Sequence, residues 1–367
     1  MKHLPPILFY TISFILGICW KANNNAKILF PLILAIIIII ATIQLTKKNN
    51  IIKCLLTTFL TFALGALIYQ NQQEGFSLFY ERFSNLSFDI IETIKSVEKS
   101  TNKTCRIRLM LSISSIKQRS KNSKWKTINE NVFIYTSKSS ASLLAIDDKI
   151  LLKKISFKRP TNESFNSFLI KEECVASLFL PKLYYRRIKH PKLSPRRYLH
   201  NLKCNLLSRI KRKLGRNSFN FYSAIFLGYP IGKKNLKTIK QRFKEWGIMH
   251  YLARSGLHLI FFILILSFLF SIIPLPLMVK ELTFIILITI YTALSWASIP
   301  FNRALSLFVI QKTGRILNLQ VNPLHIFSLI CLITLAINPI QLFHLDFQLS
   351  FGITFALILF NAINTKK

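Results

Sequence analysis

Two histidines, an arginine, a serine and two glycines fall within thirteen positions of the stretch "GIMHYLARSGLHL", Gly247–Leu259. On a helix His250, Arg254 and His258 stand at i, i+4 and i+8, with Leu257 on the same side. Gly247, Ala253, Ser255 and Gly256 are small, and small residues let helices approach closely. A metal site would need a third ligand, and the stretch holds no Asp, Glu or Cys. Ser255 as a nucleophile lacks an oriented His/Asp pair. Two readings stay open. One is a tight helix crossing in which the histidines satisfy hydrogen bonds. The other is a polar, cationic wall along a water-filled path, where intramembrane polar residues usually face.

The elements that must hold this stretch are apolar. Hydrophobic residues make up 51% of the 367 residues and charged ones only 17%, with 31 Phe and a mean hydropathy of +0.38. That balance predicts a membrane protein rather than an ordinary soluble one. Leu4–Trp20, Ile28–Ile43 and Leu55–Tyr69 are apolar runs near the length of a membrane helix. So are Leu257–Val279, Leu282–Ser298, Leu324–Ile340 and Phe347–Asn361, while 301–318 is apolar on one side and basic on the other. Lys2, Lys47, Lys48 and Lys53 outnumber Lys21 and Lys27, which puts the N-terminus in the cytoplasm. The segment 70–247 then lies outside.

That segment has a different character. Residues 83–99 read as an amphipathic surface helix. "TCRIRLMLSI", "NVFIYTS", "KILLKKISF" and "CVASLFL" are short, partly alternating and separated by Lys/Ser/Asn turns, which predicts a small five-stranded β barrel over 104–182. Arg197–Arg216 has apolar residues at helical spacing against a basic face. It suits a membrane surface or a phosphate backbone. The expected organisation is N-terminal membrane helices (1–70), an amphipathic linker (71–103), the β domain (104–182), a basic connector (183–245) and a further membrane domain (246–367). The fold class is thus an α-helical polytopic membrane protein with an inserted small all-β, OB-like extracytoplasmic domain.

Charge narrows the partners. Against 14 Asp+Glu stand 50 Lys+Arg, a net charge of +36. Such an excess attracts phosphate backbones or anionic lipid heads. The six cysteines form no CxxC pair, and no metal or cofactor is expected.

Several ordered motifs resemble the ComEC family of competence proteins, inner-membrane channels for DNA uptake. They are G-x-x-H-x-x-A-x-S-G-L-H (Gly247, His250, Ala253, Ser255, Gly256, Leu257, His258), "AIFLG" at 224–228, Arg303-Ala304 in "PFNRAL", and Asn338-Pro339 followed by "FQLSF" at 347–351. "PTNESFNSFLIKEECVASLFL" resembles the end of the family's extracytoplasmic barrel. Arg254 and Tyr229 depart from the pattern. The family's further spans and its metallo-β-lactamase-like domain are not expected within these 367 residues. No HxHxDH run occurs, so no nuclease or other enzymatic step is expected.

The resemblance implies passage of single-stranded DNA during natural transformation, in the bacterial inner membrane. The polar route would run along Gly247, His250, Ala253, Arg254, Ser255, Gly256, His258, Arg303, Gln348 and Ser350. DNA would be received by Trp125, Lys126 and Tyr135, with Phe133 and Phe157 as further stacking platforms or barrel core, and by Arg196, Arg197, Arg209, Lys211, Arg212 and Lys213. Cys105 and Cys174, in the first and last parts of the barrel, are expected to pair as a disulfide. Partners would be single-stranded DNA, membrane lipids, a second polypeptide or further copy completing the channel, and the competence DNA receptor and helicase. The competing reading is a non-transporting, membrane-anchored binding or structural protein, or one fragment of a split competence gene.

Overall fold

The computed structural model describes residues 5–23, 51–84, 86–99, 107–119, 123–141, 143–189, 194–215, 256–272, 276–294, 299–317 and 322–364, with a few single positions between them. These form two compact units, Asn71–Ile210 and the remainder, Met1–Gln70 with Lys211–Lys367.

The Asn71–Ile210 unit is built on one six-stranded sheet. Its strands are β1 (Ser87–Lys99), β2 (Ile107–Gln118), β3 (Lys126–Thr136), β4 (Lys149–Ser156), β5 (Ala176–Phe179) and β6 (Tyr185–Lys189), in the order β5-β3-β2-β1-β4-β6. All neighbours are antiparallel except β3 and β5, which run parallel. Alternation sets the buried face: Phe88, Ile90 and Ile94 of β1 meet Leu109, Leu111 and Ile113 of β2, Val132 and Ile134 of β3, and Ile150 and Leu152 of β4. Burial of these side chains, each about 1.5–3 kcal/mol, drives the fold of this unit. The four strand-like pieces of the sequence fall in β2 to β5. The OB-like five-stranded barrel does not: six strands form a mixed sheet, which among the described residues ends at β5 and β6. Residues 83–99 are corrected too, since 87–99 is the central strand β1 and not a surface helix.

Two helices bracket the sheet in sequence. The long helix α1 (Ile51–Phe83) enters this unit with its last turns, where Phe79 packs edge-on against Phe157 at 5.1 Å. Helix α2 (Pro195–Leu214) follows β6. Its first turn is pinned by the fully buried Asp148, whose carboxylate accepts the Ala145 N–H at 3.0 Å and pairs with Arg187 at 3.5 Å and Arg197 at 3.6 Å. Ser194 caps the helix and donates to Asp147.

The second unit is helical. A helix over Pro6–Ala22 crosses the first half of α1 closely: a Cβ on Gly17 would strike the Phe62 carbonyl, and one on Gly65 the Phe14 carbonyl. Ser13 donates to the Thr58 carbonyl at 3.1 Å in the same contact. Toward the C-terminus come α3 (Gly256–Ile272), α4 (Leu277–Leu294), α5 (Ile299–Ile316), α6 (Pro323–Ile337), a 3-10 turn (Pro339–Phe343) and α7 (Leu345–Asn364). One core gathers Phe14, Ile18, Phe327, Cys331, Phe347 and Phe351. Another gathers Leu259, Phe284, Ile288, Phe301 and Phe308.

The polytopic expectation is overturned here. Among the described residues no helix is long and apolar enough to cross a membrane. The most apolar helices are short: α3 has 17 residues and α6 has 15, about 26 and 22 Å at 1.5 Å per residue against a hydrocarbon core of about 30 Å. The longer ones carry polar interruptions. Gln70–Glu74 sits in α1, Lys280 and Glu281 in α4, and Asp346 and Gln348 in α7. The expected run 28–43 lies outside the described residues.

Candidate nucleic-acid interface

Two places bring polar groups together, one in each unit. In the helical unit α5 begins Ile299-Pro300, a proline tolerated in a first turn because its missing N–H has no helical partner there. Arg303, one turn in, donates from Nη1 to the carbonyl of Ser350 on α7. Its guanidinium carbon lies 5.7 Å from the Phe351 ring centre. The Ser350 carbonyl also accepts from Thr354 Oγ1 at 2.9 Å. Phe347 and Phe351, one helical turn apart, stack at 4.3 Å and sit in the core. They fix the rotation of α7 and so set where Ser350 stands. Arg303 Nε and Ser350 Oγ are buried and make no hydrogen bond. Such atoms are uncommon, because an unmet buried polar group costs about 1–3 kcal/mol.

The structure therefore joins two motifs separated by nearly fifty residues, the Arg-Ala and FQLSF segments. Gln348 is not part of that meeting: its side chain turns back to donate to the Leu342 carbonyl at 2.9 Å. Gly247, His250, Ala253, Arg254 and Ser255 lie outside the described residues. Gly256 and His258 stand in the first turn of α3.

Sequence reasoning missed an ion pair in this unit. Lys312 of α5 reaches the carboxylate of the buried Glu281 on α4, at 2.9 Å and 2.6 Å. The ammonium also lies 4.8 Å from the Phe284 ring centre and 5.6 Å from that of Phe308. The available signal was Glu281, the one acid of α4, and a lysine on the basic side of α5.

In the sheet unit a groove of about 790 Å³ runs between the end of α1 and the strands. Phe79, Phe83, Phe88 and Ile116 form its apolar part, and Arg82, Lys124 and Lys126 contribute cations. Phe83 lies 5.1 Å from Phe79 and 5.6 Å from Phe88, ring centre to ring centre. Glu130 also lines it, and burial pushes its carboxyl above the usual carboxylate range. The indole of Trp125, 44% exposed, is carried between two lysines of this groove. Phe79 and Phe88 are nearly fully buried, so the exposed indole of Trp125, next in sequence to Lys124 and Lys126, is the face that suits a base of an unpaired nucleic-acid strand, while the cations suit its phosphates.

The other expected platforms are covered, and for Phe133 and Phe157 the core reading holds. Phe133 and Phe157 are core, and Tyr135, 9% exposed, stacks on Phe179 at 4.7 Å. Arg108 covers the Phe133 ring at 4.7 Å and pairs with Glu98. On α2, Arg196, Arg209, Lys211, Arg212 and Lys213 are exposed, whereas Arg197 is held by Asp148. Cys174 is a buried free thiol, raised in pKa chiefly by that burial. Its expected partner, Cys105, lies outside the described residues. Among the described residues no group of His, Cys, Asp or Glu is placed to hold a metal ion.

No curated protein and no solved structure matches the chain. Residues 233–367 match the family model described as Competence protein, so the C-terminal part of the chain, which holds the Arg303–Ser350 contact, is similar to that family.

Proposed function

We propose that this chain passes single-stranded DNA during uptake, with the groove between α1 and the sheet receiving the strand and the Arg303–Ser350 meeting contributing to its polar route. The carrying observation is that meeting. It lies inside the family-matched segment and leaves two polar atoms without hydrogen bonds. A phosphate oxygen is a natural acceptor for a guanidinium N–H, and arginine binds phosphate through several donors at once. Net charge +36 favours a polyanion. Gly247, His250, Ala253, Arg254, Ser255, Gly256, His258 and Gln348 are proposed to extend the same polar route.

A second polypeptide or a further copy completes the route in this reading. Rows of exposed apolar side chains support it: Leu349, Ile353, Leu357 and Phe360 on α7, and Leu264, Phe268 and Ile272 on α3. The competence DNA receptor and helicase would act before and after this step.

Transformation frequency in cells carrying Arg303→Ala tests the reading. A loss of about 100-fold is expected, with partial recovery in Arg303→Lys, which keeps the charge and loses the fork of donors. Unchanged frequency at normal protein levels would instead support the non-transporting, structural reading.

A further inference from the structure

We propose that α2 lies on a surface of anionic lipid headgroups, with one of its sides turned into the boundary between headgroups and acyl chains. The helix has twenty residues and none of them is buried. It contains no Asp or Glu, while Arg196, Lys203, Arg209, Lys211, Arg212 and Lys213 are cationic and Arg197 is engaged by Asp148. Tyr198, Leu199, Leu202, Leu206 and Leu214 are all large, apolar and exposed. At about 100° per residue they fall on one side of the helix, interleaved there with Lys203, Arg209 and Lys213. The opposite side carries Asn201, Cys204, Ser208 and Arg212.

Charge and shape together select the occupant. A nucleic-acid backbone would pair with the cations and leave five apolar side chains in water. An anionic bilayer surface uses both features: long lysine and arginine stems reach up to headgroup phosphates while the apolar side sinks about 5–10 Å. The helix is also presented in a fixed direction, because Asp148, Ser194 and the Pro191 carbonyl hold its first turn to the sheet unit. This inference does not rest on the DNA reading, since neither Arg303 nor the groove enters it.

The test reads the depth of two positions in the full chain reconstituted with vesicles. In a Cys204→Ser background, Leu206→Cys and Ser208→Cys place thiols about 200° apart on α2. Alkylation by a water-soluble maleimide is followed at peptide level by mass spectrometry. With vesicles containing phosphatidylglycerol, alkylation at 206 should slow at least about tenfold relative to 208. With phosphatidylcholine alone the two should react alike. Lys211→Gln, Arg212→Gln and Lys213→Gln combined should abolish the protection at 206, as each cation near an anionic surface contributes several-fold in binding. Equal reactivity at 206 and 208 on anionic vesicles overturns the proposal. So does protection of 206 by an oligonucleotide without vesicles, or protection that survives loss of the three cations. Circular dichroism of each variant establishes that the helix is retained.

Discussion

In the sheet unit apolar side chains point inward and cations outward, whereas in the helical unit many large apolar side chains point outward and polar atoms are trapped within. Ile90, Leu109, Leu111, Ile134 and Leu152 are fully buried on the strands. On α3, α4 and α7, by contrast, Phe261, Leu282 and Leu357 stand more than half exposed. Inside that same unit lie the Lys312–Glu281 pair and the Arg303–Ser350 contact. The difference teaches what holds each part. The sheet unit is stabilised by its own hydrophobic core, while the helical unit keeps apolar surface available to surroundings other than water, as lipid or further helices would be.

The sharpest way to break this contrast is a pair of phenylalanine truncations. Phe157→Ala removes a fully buried ring that touches Phe79 and Phe88. It should cost about 3–5 kcal/mol of sheet-unit stability. Phe268→Ala, at a position 68% exposed, should cost less than about 0.5 kcal/mol. Chemical denaturation with hydrogen exchange localised to each unit measures both. Similar costs at the two sites would mean that the helical unit is not inverted in the way described.

Next in size is Asp148→Ala. Removing this carboxylate leaves Arg187 and Arg197 facing each other's charge and strips the Ala145 N–H of its acceptor. Breaking a buried pair costs about 3–5 kcal/mol, and the partial exposure of Arg187 puts the expected loss near the lower end. Hydrogen exchange in the first turn of α2 should rise together with that loss. A stable variant in which that turn remains protected would show that Asp148 does not anchor the helix.

Glu92 is the exception within the sheet core, and it shows where the sequence was misleading. It sits on the buried face of β1 between Ile90 and Ile94, paired in register with Ile113 and Ile150, and neither carboxylate oxygen has a hydrogen-bond partner. Burial raises its pKa from 4.5 to about 8. A folded-state pKa above the unfolded one means the native protein holds the proton more tightly. The stability it brings is complete below about pH 4.5 and is lost as pH rises towards 8, at up to about 1.4 kcal/mol per pH unit. Glu92→Gln should flatten that slope, and Glu92→Leu should raise the melting temperature at pH 8. An unchanged pH profile in both variants would place the carboxyl in contact with water.

The same residue explains why β1 was hidden. With Glu at an inward position, the alternation Phe88, Ile90, Ile94 is interrupted, and Ile90, Ile91, Ile94 and Val97 then read at helical spacing. The pieces "NVFIYTS" and "KILLKKISF" have no such interruption, and β3 and β4 fall on them. Tyr135 and Trp125 carried the same expectation of stacking, yet only tertiary packing separates them: Phe179 covers the first, and nothing in composition forecasts that. Apolar content pointed to spanning helices, but span length depends on where caps and polar residues cut a run. Asn322 caps α6 by accepting the Leu324 N–H, and the helix stops at Asn338 after 15 residues.

The smallest expected effect separates the groove from the general positive charge of the sheet unit. Lys126→Gln removes one cation from the groove lining. Weakening of single-stranded DNA binding should be modest and independent of sequence, and the slope of log affinity against log salt should fall by about 1. Trp125→Ala should weaken binding without changing that slope, because a lost stacking face releases no counterions. Tyr135→Phe should change neither quantity, its ring being covered by Phe179. Fluorescence titrations of the full chain with a labelled oligonucleotide at several salt concentrations distinguish the three. Equal responses from Lys126→Gln and from Lys149→Gln, a β4 lysine that does not line the groove, would show that the whole basic surface binds DNA and the groove has no special part.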